Sequence, residues 1–585
     1  MKQWFKYVKP YLPYFIIGPV CMIVEVIGEV LMPKFIAIVI NGADDGSLTV
    51  GGSIGTAGLM ILTAVIMMIG GVGGAYFGAK ASVNFAADLR DDVFAKVQRF
   101  SFANIDKFSA GSLVTRLTND VTQLQNFVNM LLRMCLRSPG MLIGAIIMAV
   151  SMRPDLSVVL LVTIPLMLVT ILLIISRGFP RFAAMQTKID ALNNTVQENI
   201  TNVRVVKSFV REKHETEKFR EVNGNLKKAG MSAMKVMIFM GPVMTVFMNI
   251  TTLAVLWFGA NIVLGEAGSV GGMEIGDLSA FITYVTQILS SLMMVTMMLM
   301  MSSRALASAK RIKEVLNEEI DLDDSTAASP DLVVEKGRIE FKNVSFRYYK
   351  NSEGKVLDSI DLVIDAGQTV GIIGSTGCGK TTLVSMIPRL YDVDEGEVAI
   401  DGVNVKDYSL HHLREGVGMV LQKNVLFSGT IEENLRWGDE DATEEELKKA
   451  AEYAQAHGFI ESFKDGYETE LEQGGVNVSG GQKQRLCIAR ALLKKPKILI
   501  LDDSTSAVDT ATEAMIRKAF REELSGSTKI IIAQRISSVK DCDTIIVMNE
   551  GKITGVGSHD ELLENCTEYG EIYYSQMDRK EENNG

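Results

Sequence analysis

The sequence predicts a multidomain chain: an all-α six-helix transmembrane domain with long cytoplasmic helical extensions, followed by an α/β P-loop domain. Apolar residues are concentrated before about Arg311 and charged residues after it, although the mean hydropathy of the whole chain is only +0.19. A glycine-rich motif that ends in Lys-Thr follows an apolar run in the second half. Because 585 residues exceed what one core can hold, we expect a membrane domain at 1–315, a linker at 316–336 and a second domain at 337–585.

Six apolar stretches in the first half are long enough to cross a bilayer as helices. Each has about 20 residues or more, which spans the ~30 Å of hydrocarbon. Residues 1–10 precede them and mix lysines with aromatic residues, which is typical of an interfacial elbow in the headgroup layer. The predicted spans are residues 11–40, 56–79, 127–151, 156–175, 237–264 and 278–301.

The loops predict the orientation of these spans. Residues 41–55 and 265–277 contain no Lys or Arg, whereas 80–116 and 177–235 are rich in both and should face the cytoplasm. Both termini are therefore predicted to be cytoplasmic. The two basic connections have apolar residues at helical spacing, so we expect them to be helical extensions that need a packing partner. Segments 109–120 and 201–209, at their turning points, are the predicted contact surfaces; the alternative is a loose loop.

Two carboxylates lie inside the first predicted span. Glu25 and Glu29 are four residues apart and share a helix face. Because a charge in the bilayer costs at least ~2.5 kcal/mol, such groups usually face a water-filled cavity or a cationic partner. Arg133 and Arg137 on the third span have the same spacing. A substrate site for cations and a structural Glu–Arg pairing both fit this pattern.

The last predicted span is rich in methionine, including Met293 and Met297. Methionine is flexible and polarizable, which suits a surface that accepts substrates of many shapes. Plain helix packing explains the same residues.

Charge and cysteine usage exclude several classes of protein. The net charge of −11 argues against nucleic acid as a partner, since a phosphate-binding surface needs a basic face. The six cysteines form no C-x-x-C pair and have no metal-ligand spacing. No short apolar segment with a small-residue cleavage site suggests a removed signal peptide.

The glycine-rich motif fits G-x-x-x-x-G-K-[ST], which predicts a loop whose backbone N–H groups surround phosphates. Lys380 would reach the β- and γ-phosphates of a nucleotide, and Thr381 would bind Mg²⁺. The predicted ATP and Mg²⁺ site comprises Gly374, Ser375, Thr376, Gly377, Cys378, Gly379, Lys380, Thr381 and Thr382.

Five further motifs follow in a fixed order. With the phosphate loop and the six spans, they resemble the half-transporters of the ABC exporter family (type IV fold), and the resemblance covers nearly the whole chain. It implies an ABC nucleotide-binding domain and two ATP molecules sandwiched between two chains. The motifs are GMVLQ at 418–422, VSGGQ at 478–482, ILILDD at 498–503, SAVD at 506–509 and IIIAQ at 530–534.

The resemblance implies a role for each matching residue. Tyr348 would stack on adenine. Gln422 would sense Mg²⁺ and the attacking water, and Asp502, which matches the aspartate of the family's Walker B motif, would hold Mg²⁺. The signature residues would contact the nucleotide on the partner's phosphate loop, and Asp509 closes the motif that follows Walker B. The signature residues are Ser479, Gly480, Gly481 and Gln482.

Two positions depart from the family pattern. Asp503 stands where the family has a catalytic Glu, and Gln534 stands where it has a switch His. These departures predict the degenerate-site subunit of a heterodimeric bacterial exporter, whose homologous partner carries the Glu and the His. ATP hydrolysis would then occur mainly at the partner's composite site.

The resemblance predicts that the pair sits in the cell membrane and exports small lipophilic, drug-like compounds by alternating access. A lipid flippase, a peptide exporter and an ATP-gated channel or regulatory membrane protein remain alternatives. We expect leader-peptide export to be less favoured, because no cysteine-protease domain precedes Met1. A regulatory channel is less favoured because the sequence ends about where the nucleotide fold does.

Overall fold

The computed structural model describes residues 2–44, 46, 49–265, 273–325, 327–348, 354–503 and 509–582. The chain forms two compact units. The first comprises Met1–Val97 and Gly111–Asn317, and the second comprises Gln98–Ala110 and Glu318–Gly585. The division between Asn317 and Glu318 falls inside the predicted linker 316–336.

All the regular secondary structure in the described residues of the N-terminal half is helical. Six of its helical segments are long and apolar enough to cross a membrane, which confirms the predicted six-helix domain. A 3-10 turn at Lys9–Tyr11 and a π-helical turn at Arg116–Asp120 interrupt the α-helices. The helices are α1 (Lys2–Val8), α2 (Leu12–Asp44), α3 (Val50–Gln98), α4 (Phe102–Phe108), α5 (Ala110–Thr115), α6 (Val121–Met134), α7 (Arg137–Met152), α8 (Pro154–Thr201), α9 (Val203–Ser208), α10 (Glu212–Ile238), α11 (Met240–Gly265) and α12 (Ile275–Asn317).

Small residues let α2 and α3 approach closely. A Cβ added to Gly70 would lie 2.8 Å from the carbonyl oxygen of Cys21, and one added to Gly74 would lie 2.9 Å from the side chain of Met22. In a membrane, where lipid tails are as apolar as leucine, such contact is a main source of helix association.

Pro33 lies inside α2 and leaves the carbonyl of Glu29, four residues earlier, without its usual helical donor. The side-chain amide of Gln287 on α12 donates to that carbonyl oxygen at 3.1 Å, and the Tyr284 hydroxyl donates to the next carbonyl, of Val30, at 2.9 Å. An unsatisfied carbonyl in the bilayer would cost several kcal/mol. The contact between α2 and α12 thus supplies the hydrogen-bond donor that Pro33 lacks.

The described residues of the second unit form three sheets. A four-stranded antiparallel sheet has the order β2-β1-β4-β5, and a six-stranded sheet has the order β12-β11-β3-β10-β9-β6. In the latter, every neighbouring pair is parallel except β11 with β12. The strands are β1 (Ile339–Phe346), β2 (Leu357–Ile364), β3 (Thr369–Gly374), β4 (Glu395–Ile400), β5 (Val403–Asn404), β6 (Val417–Val420), β7 (Gly429–Thr430), β8 (Glu470–Leu471), β9 (Ile498–Asp502), β10 (Thr528–Ile532), β11 (Thr544–Asn549) and β12 (Lys552–Gly557).

The parallel strands are short apolar runs, as expected where both faces of a sheet are covered. All five residues of β9 and all five of β10 are buried. The carboxyl ends of β3 and β9 bring the functional motifs to one edge of the sheet. The helices are α13 (Lys380–Ser385), α14 (Leu410–Glu415), α15 (Ile431–Arg436), α16 (Glu444–Tyr453), α17 (His457–Ser462), α18 (Gly480–Leu493), α19 (Thr510–Glu523), α20 (His559–Asn565) and α21 (Thr567–Glu582).

Candidate functional site

The predicted phosphate loop connects β3 to α13. Gly379 has a φ of +99°, and a Cβ there would lie 2.8 Å from the carbonyl oxygen of Val356, so only glycine fits. The Lys380 ammonium lies over the loop, with Nζ 2.8 Å from the carbonyl oxygen of Gly374 and 2.7 Å from that of Ser375. This places a cation beside the loop, as phosphate binding requires. The rest of the loop, between Gly374 and Gly379, consists of Ser375, Thr376, Gly377 and Cys378.

The two predicted Mg²⁺ ligands meet at the end of β9. The hydroxyl of Thr381 lies 3.0 and 2.9 Å from the two carboxylate oxygens of Asp502, which is buried. Burial raises the pKa of Asp502, and the hydrogen bond from Thr381 opposes that rise. A hydroxyl and a carboxylate are hard oxygen donors of the kind Mg²⁺ prefers, so these residues fit the ion.

The residue after Walker B takes a left-handed conformation, with a φ of +49° at Asp503. The side-chain amide of Gln534 donates to its carboxylate at 3.0 Å. Burial raises the pKa of Asp503, whereas hydrogen bonds from Gln422 and Gln534 lower it. The three predicted catalytic residues, from three separate motifs, therefore lie together.

The predicted adenine-stacking residue stands beside the phosphate loop. The Tyr348 hydroxyl lies 2.9 Å from the hydroxyl of Thr382 on α13. Its ring packs edge-on against Phe346 and Tyr391, with centroids 5.0 and 5.2 Å away. The Tyr348 side chain is 42% exposed, which leaves part of the ring open to a ligand.

The signature residues begin α18. Ser479 caps this helix: its hydroxyl accepts from the backbone N–H of Gln482 at 3.3 Å, and the Gln482 side chain accepts from the Ser479 N–H at 2.9 Å. Ser479 and Gly480 are exposed and Gly481 is half-buried, so the predicted contact surface for a second nucleotide is open. Asp509 caps α19, and its bond from the Thr512 N–H lowers the pKa of its carboxyl. Residues 504–508, with most of the SAVD motif, lie outside the described residues.

Comparison with known proteins gives two family matches. The family described as "ABC transporter transmembrane region" matches residues 15–292, and the family described as "ABC transporter" matches 357–506. The uncharacterized ABC transporter ATP-binding protein YfiB of Bacillus subtilis is 38% identical over 99% of both chains. The fatty acid ABC transporter ATP-binding/permease protein of Mycobacterium tuberculosis is 36% identical over 81% of this chain and 74% of its own length. A solved bacterial Atm1-family ABC exporter with ATP bound superimposes with a TM-score of 0.79, at 26% identity over 97% of this chain and 98% of its own.

The chain belongs to the ABC exporter family. Its second unit is therefore an ABC ATP-binding domain, and its first is the membrane domain through which ATP-driven transport occurs.

In this exporter α4, which directly precedes the predicted contact surface 109–120, contacts the residues that begin the ATP-binding segment within the second unit. Ser101 and Asn104 form a capping box that begins α4. The Asn104 amide donates to the Glu319 carbonyl at 3.1 Å, and Lys107 pairs with Glu318 at 2.6 Å. Most of 109–120 instead belongs to the first unit, where Asp120 is buried in a bidentate pair with Arg311.

Tyr391 joins α4 to the adenine-stacking residue within the second unit. Its hydroxyl donates to Asp106 at 3.1 Å, and its ring lies 6.0 Å from that of Phe102. The other edge of the same ring packs on Tyr348 and Phe346. One aromatic side chain therefore contacts both α4 and the predicted adenine site.

The other predicted contact segment, 201–209, contains the short helix α9. All of its residues except Val206 are exposed, among them Val205, and Phe209 at its end is 72% exposed. An apolar, exposed turn at the tip of two long helices is a surface suited to a protein partner.

The carboxylates in the first span are paired. Arg137 Nη2 lies 3.3 Å from Glu25 and 3.2 Å from Glu29, which supports the structural alternative of the sequence analysis. Arg133 makes no ion pair within the described part of the chain. One short turn at Cys135 and Leu136 separates α6 from α7, because Pro139 cannot donate to the carbonyl four residues earlier, but both turn residues keep right-handed helical φ and ψ. The two arginines therefore lie on one continuous helical span, at the end of α6 and the start of α7.

Two carboxylates share one guanidinium in this cluster, and all three side chains keep some exposure, from 19% for Glu25 to 32% for Glu29. A ligand in the same space would therefore meet two carboxylates that share one guanidinium. Met293 on α12 is exposed. The side chain of Met297 lies outside the described residues.

Sequence reasoning missed two residues that the structure places beside the ATP site. Tyr391 follows the phosphate-loop helix but belongs to no quoted motif. Gln576 lies on the last helix and contacts the backbone of Gln534 and Ile536, in the segment after β10 that we call the switch segment. For α4 a signal was present: Ser101 followed three residues later by Asn104 resembles a helix-start pattern.

Proposed function

We propose that this exporter is the degenerate-site subunit of a heterodimer in the cell membrane of a bacterium, with both termini in the cytoplasm. The observation that supports this most directly is the Asp503–Gln534 pair at the position of catalysis. Both departures from the family pattern occur in one hydrogen-bonded pair.

Asp503 is one methylene shorter than a glutamate, so its carboxylate stands back from the position of an attacking water. A displacement of ~1 Å can cost about 10²-fold in rate. Gln534 can donate a hydrogen bond to a γ-phosphate but cannot accept and return a proton or carry a positive charge. This combination favours holding ATP over cleaving it.

The binding parts of the same site are complete. Lys380 and the loop glycines would hold the phosphates, Thr381 and Asp502 would hold Mg²⁺, and Tyr348 would stack on adenine. Mg²⁺ would neutralise phosphate charge when bound. Lys380 and Thr381 begin α13 and Asp502 ends β9, so regular secondary structure fixes the backbone of these three residues.

The signature of this chain serves the other site. Ser479 to Gln482 begin a regular, capped helix and are open to a second chain. They would complete the phosphate site of a homologous half-transporter that carries the catalytic Glu and the switch His. Turnover at that composite site, passed to the membrane through α4 and α9, would drive alternating access.

For the substrate, we propose small lipophilic or drug-like compounds, with lipid as a second candidate. The exposed Met293 supports an adaptable apolar surface. The 36% identical relative that is named as a fatty acid transporter favours a lipid or another amphiphile.

The heterodimer is tested by purifying the chain with and without a homologous half-transporter from the same organism. We expect little ATPase activity from the chain alone. The pair should turn over ATP while retaining about one unhydrolysed ATP per complex after rapid removal of free nucleotide. Replacing Lys380 with Ala should remove the retained ATP. Full ATPase activity and transport from the chain alone, with no retained triphosphate, would contradict the proposal.

A further inference from the structure

One side chain of the C-terminal helix α21 bonds to the backbone of the switch segment. Nε2 of Gln576 donates to the carbonyl oxygen of Gln534 at 2.9 Å, and Oε1 accepts from the backbone N–H of Ile536 at 3.0 Å. Both distances are ordinary for strong hydrogen bonds. The amide thus holds two backbone groups that flank Arg535.

The switch segment leaves the sheet at this point. The ladder of β10 ends at Ile532, and the N–H of Ala533 donates to the Ile372 carbonyl at 3.2 Å. Gln534 and Arg535 then form a bend before the short 3-10 helix at Ile536–Ser538. The Gln576 bonds therefore act where strand pairing no longer fixes the backbone.

The helix that presents Gln576 is anchored in the core. Tyr569 is completely buried, and its hydroxyl lies 2.7 Å from Nδ1 of His559. Tyr573, four residues on, packs against the same apolar core, and Gln576 follows three residues later on the same face. Gln576 therefore lies two helical turns from Tyr569, which is buried in the core.

We propose that Gln576 is a positioning residue for the switch side chain of this ATP site. By holding the Gln534 carbonyl and the Ile536 N–H, it fixes the backbone from which the Gln534 amide reaches Asp503. An amide supplies the donor and the acceptor that this contact needs, whereas a carboxylate supplies only acceptors and an alkyl group neither. The inference rests on the proposed role of Gln534 in the ATP site.

The test compares Gln576→Leu and Gln576→Glu in the full-length exporter with its partner in lipid. Release of a fluorescent ATP analogue is followed from the site that contains Lys380, with the partner's own phosphate loop disabled. Losing both bonds should accelerate release by about three- to tenfold, because each is worth a modest factor. Gln576→Glu, which keeps only the bond from Ile536, should also accelerate release. Ser575→Ala is the matched control, since its hydroxyl bonds only to Ile572 within the helix.

A double-mutant cycle separates positioning from a general loss of structure. If Gln576 acts through Gln534, Gln576→Leu should add no further acceleration in a Gln534→Ala background. An unchanged release rate in the single variants, or the same added factor in both backgrounds, would overturn the proposal. Gln576→Glu provides the same comparison if the leucine variant does not fold.

The outcome is distinguishable from failure of the degenerate-site proposal. If this site proved to hydrolyse ATP rapidly, the coupling between Gln576 and Gln534 would still appear as non-additivity in kcat/KM. If Gln576 and Gln534 acted independently, the positioning role of Gln576 would fail, whereas the slow ATP turnover that the degenerate-site proposal expects would still be measured.

Discussion

The amide of Gln534 donates a 3.0 Å hydrogen bond to the carboxylate of Asp503. Gln534 is the hydrogen-bond donor here and stands where the family pattern has a histidine. Its partner Asp503 is one methylene shorter than the glutamate of the family pattern. Because the amide of Gln534 cannot accept a proton, the carboxylate of Asp503 is the one group of this pair that can.

The first prediction concerns which residue of this chain limits ATP turnover. Asp503→Ala should reduce the steady-state ATPase of the pair by less than about twofold, because the position contributes little chemistry. Ser479→Arg should abolish it, because a bulky cation would occupy the γ-phosphate position of the composite site. Ser558→Arg is a matched control, since Ser558 caps α20 with the same capping box outside the predicted site. Loss of turnover in Asp503→Ala with activity retained in Ser479→Arg would reverse the assignment of the two sites.

The second prediction concerns Tyr391. Tyr391→Ala should lower transport per ATP hydrolysed by about tenfold while leaving ATPase activity within about twofold, because α4 would lose its contact with the adenine site. Tyr391→Phe keeps the ring contacts and should have a smaller effect. The measurement is substrate uptake into inside-out vesicles alongside ATPase activity. Tyr467→Phe, which removes a hydroxyl bonded to His457 elsewhere in the domain, is the control. An equal fall in both activities would indicate a stability role only.

The third prediction concerns the ion cluster in the membrane. Replacing both Glu25 and Glu29 with Gln leaves Arg137 without its counter-ions and removes two negative charges from the cluster. We expect transport of cationic compounds to fall more than transport of neutral ones, and the melting temperature to fall by a few degrees. Arg133→Gln is the control. If both compound types lose equally while the protein melts far lower, the cluster is structural and does not select substrate.

The fourth prediction concerns the proline in α2. Gln287→Leu leaves the Glu29 carbonyl without its donor and should cost about 1–3 kcal/mol in the free energy of unfolding. Thr283→Val on the same helix removes a hydroxyl that bonds only within α12 and serves as control. Equal thermal stability of the two variants would show that the carbonyl finds another donor.

The fifth prediction concerns α9. A cysteine at Val205 should cross-link to the ATP-binding domain of the partner, whereas cysteines at Phe102 and Tyr391 should cross-link within this chain, since these rings lie 6.0 Å apart. The products are separated by mass on gels. A cross-link from Val205 only to its own chain would argue against the exchange of contact segments between subunits.

Some features follow from the sequence because their physical causes are local. The six spans were predictable because a bilayer demands about 20 apolar residues for each helix, whatever the neighbours are. The phosphate loop was predictable because left-handed backbone at positions such as Gly379 requires glycine at set intervals.

Other features were decided only by tertiary structure. Spacing placed Arg133 and Arg137 on one face and did not say which of them pairs with the carboxylates. The pairing of Arg137 with Glu29 depends on how α2 packs against α7. Gln576 lies 42 residues from Gln534 in the chain, and no periodicity connects them. Contacts between distant residues depend on the position of whole helices, which packing sets and which no single stretch of sequence contains.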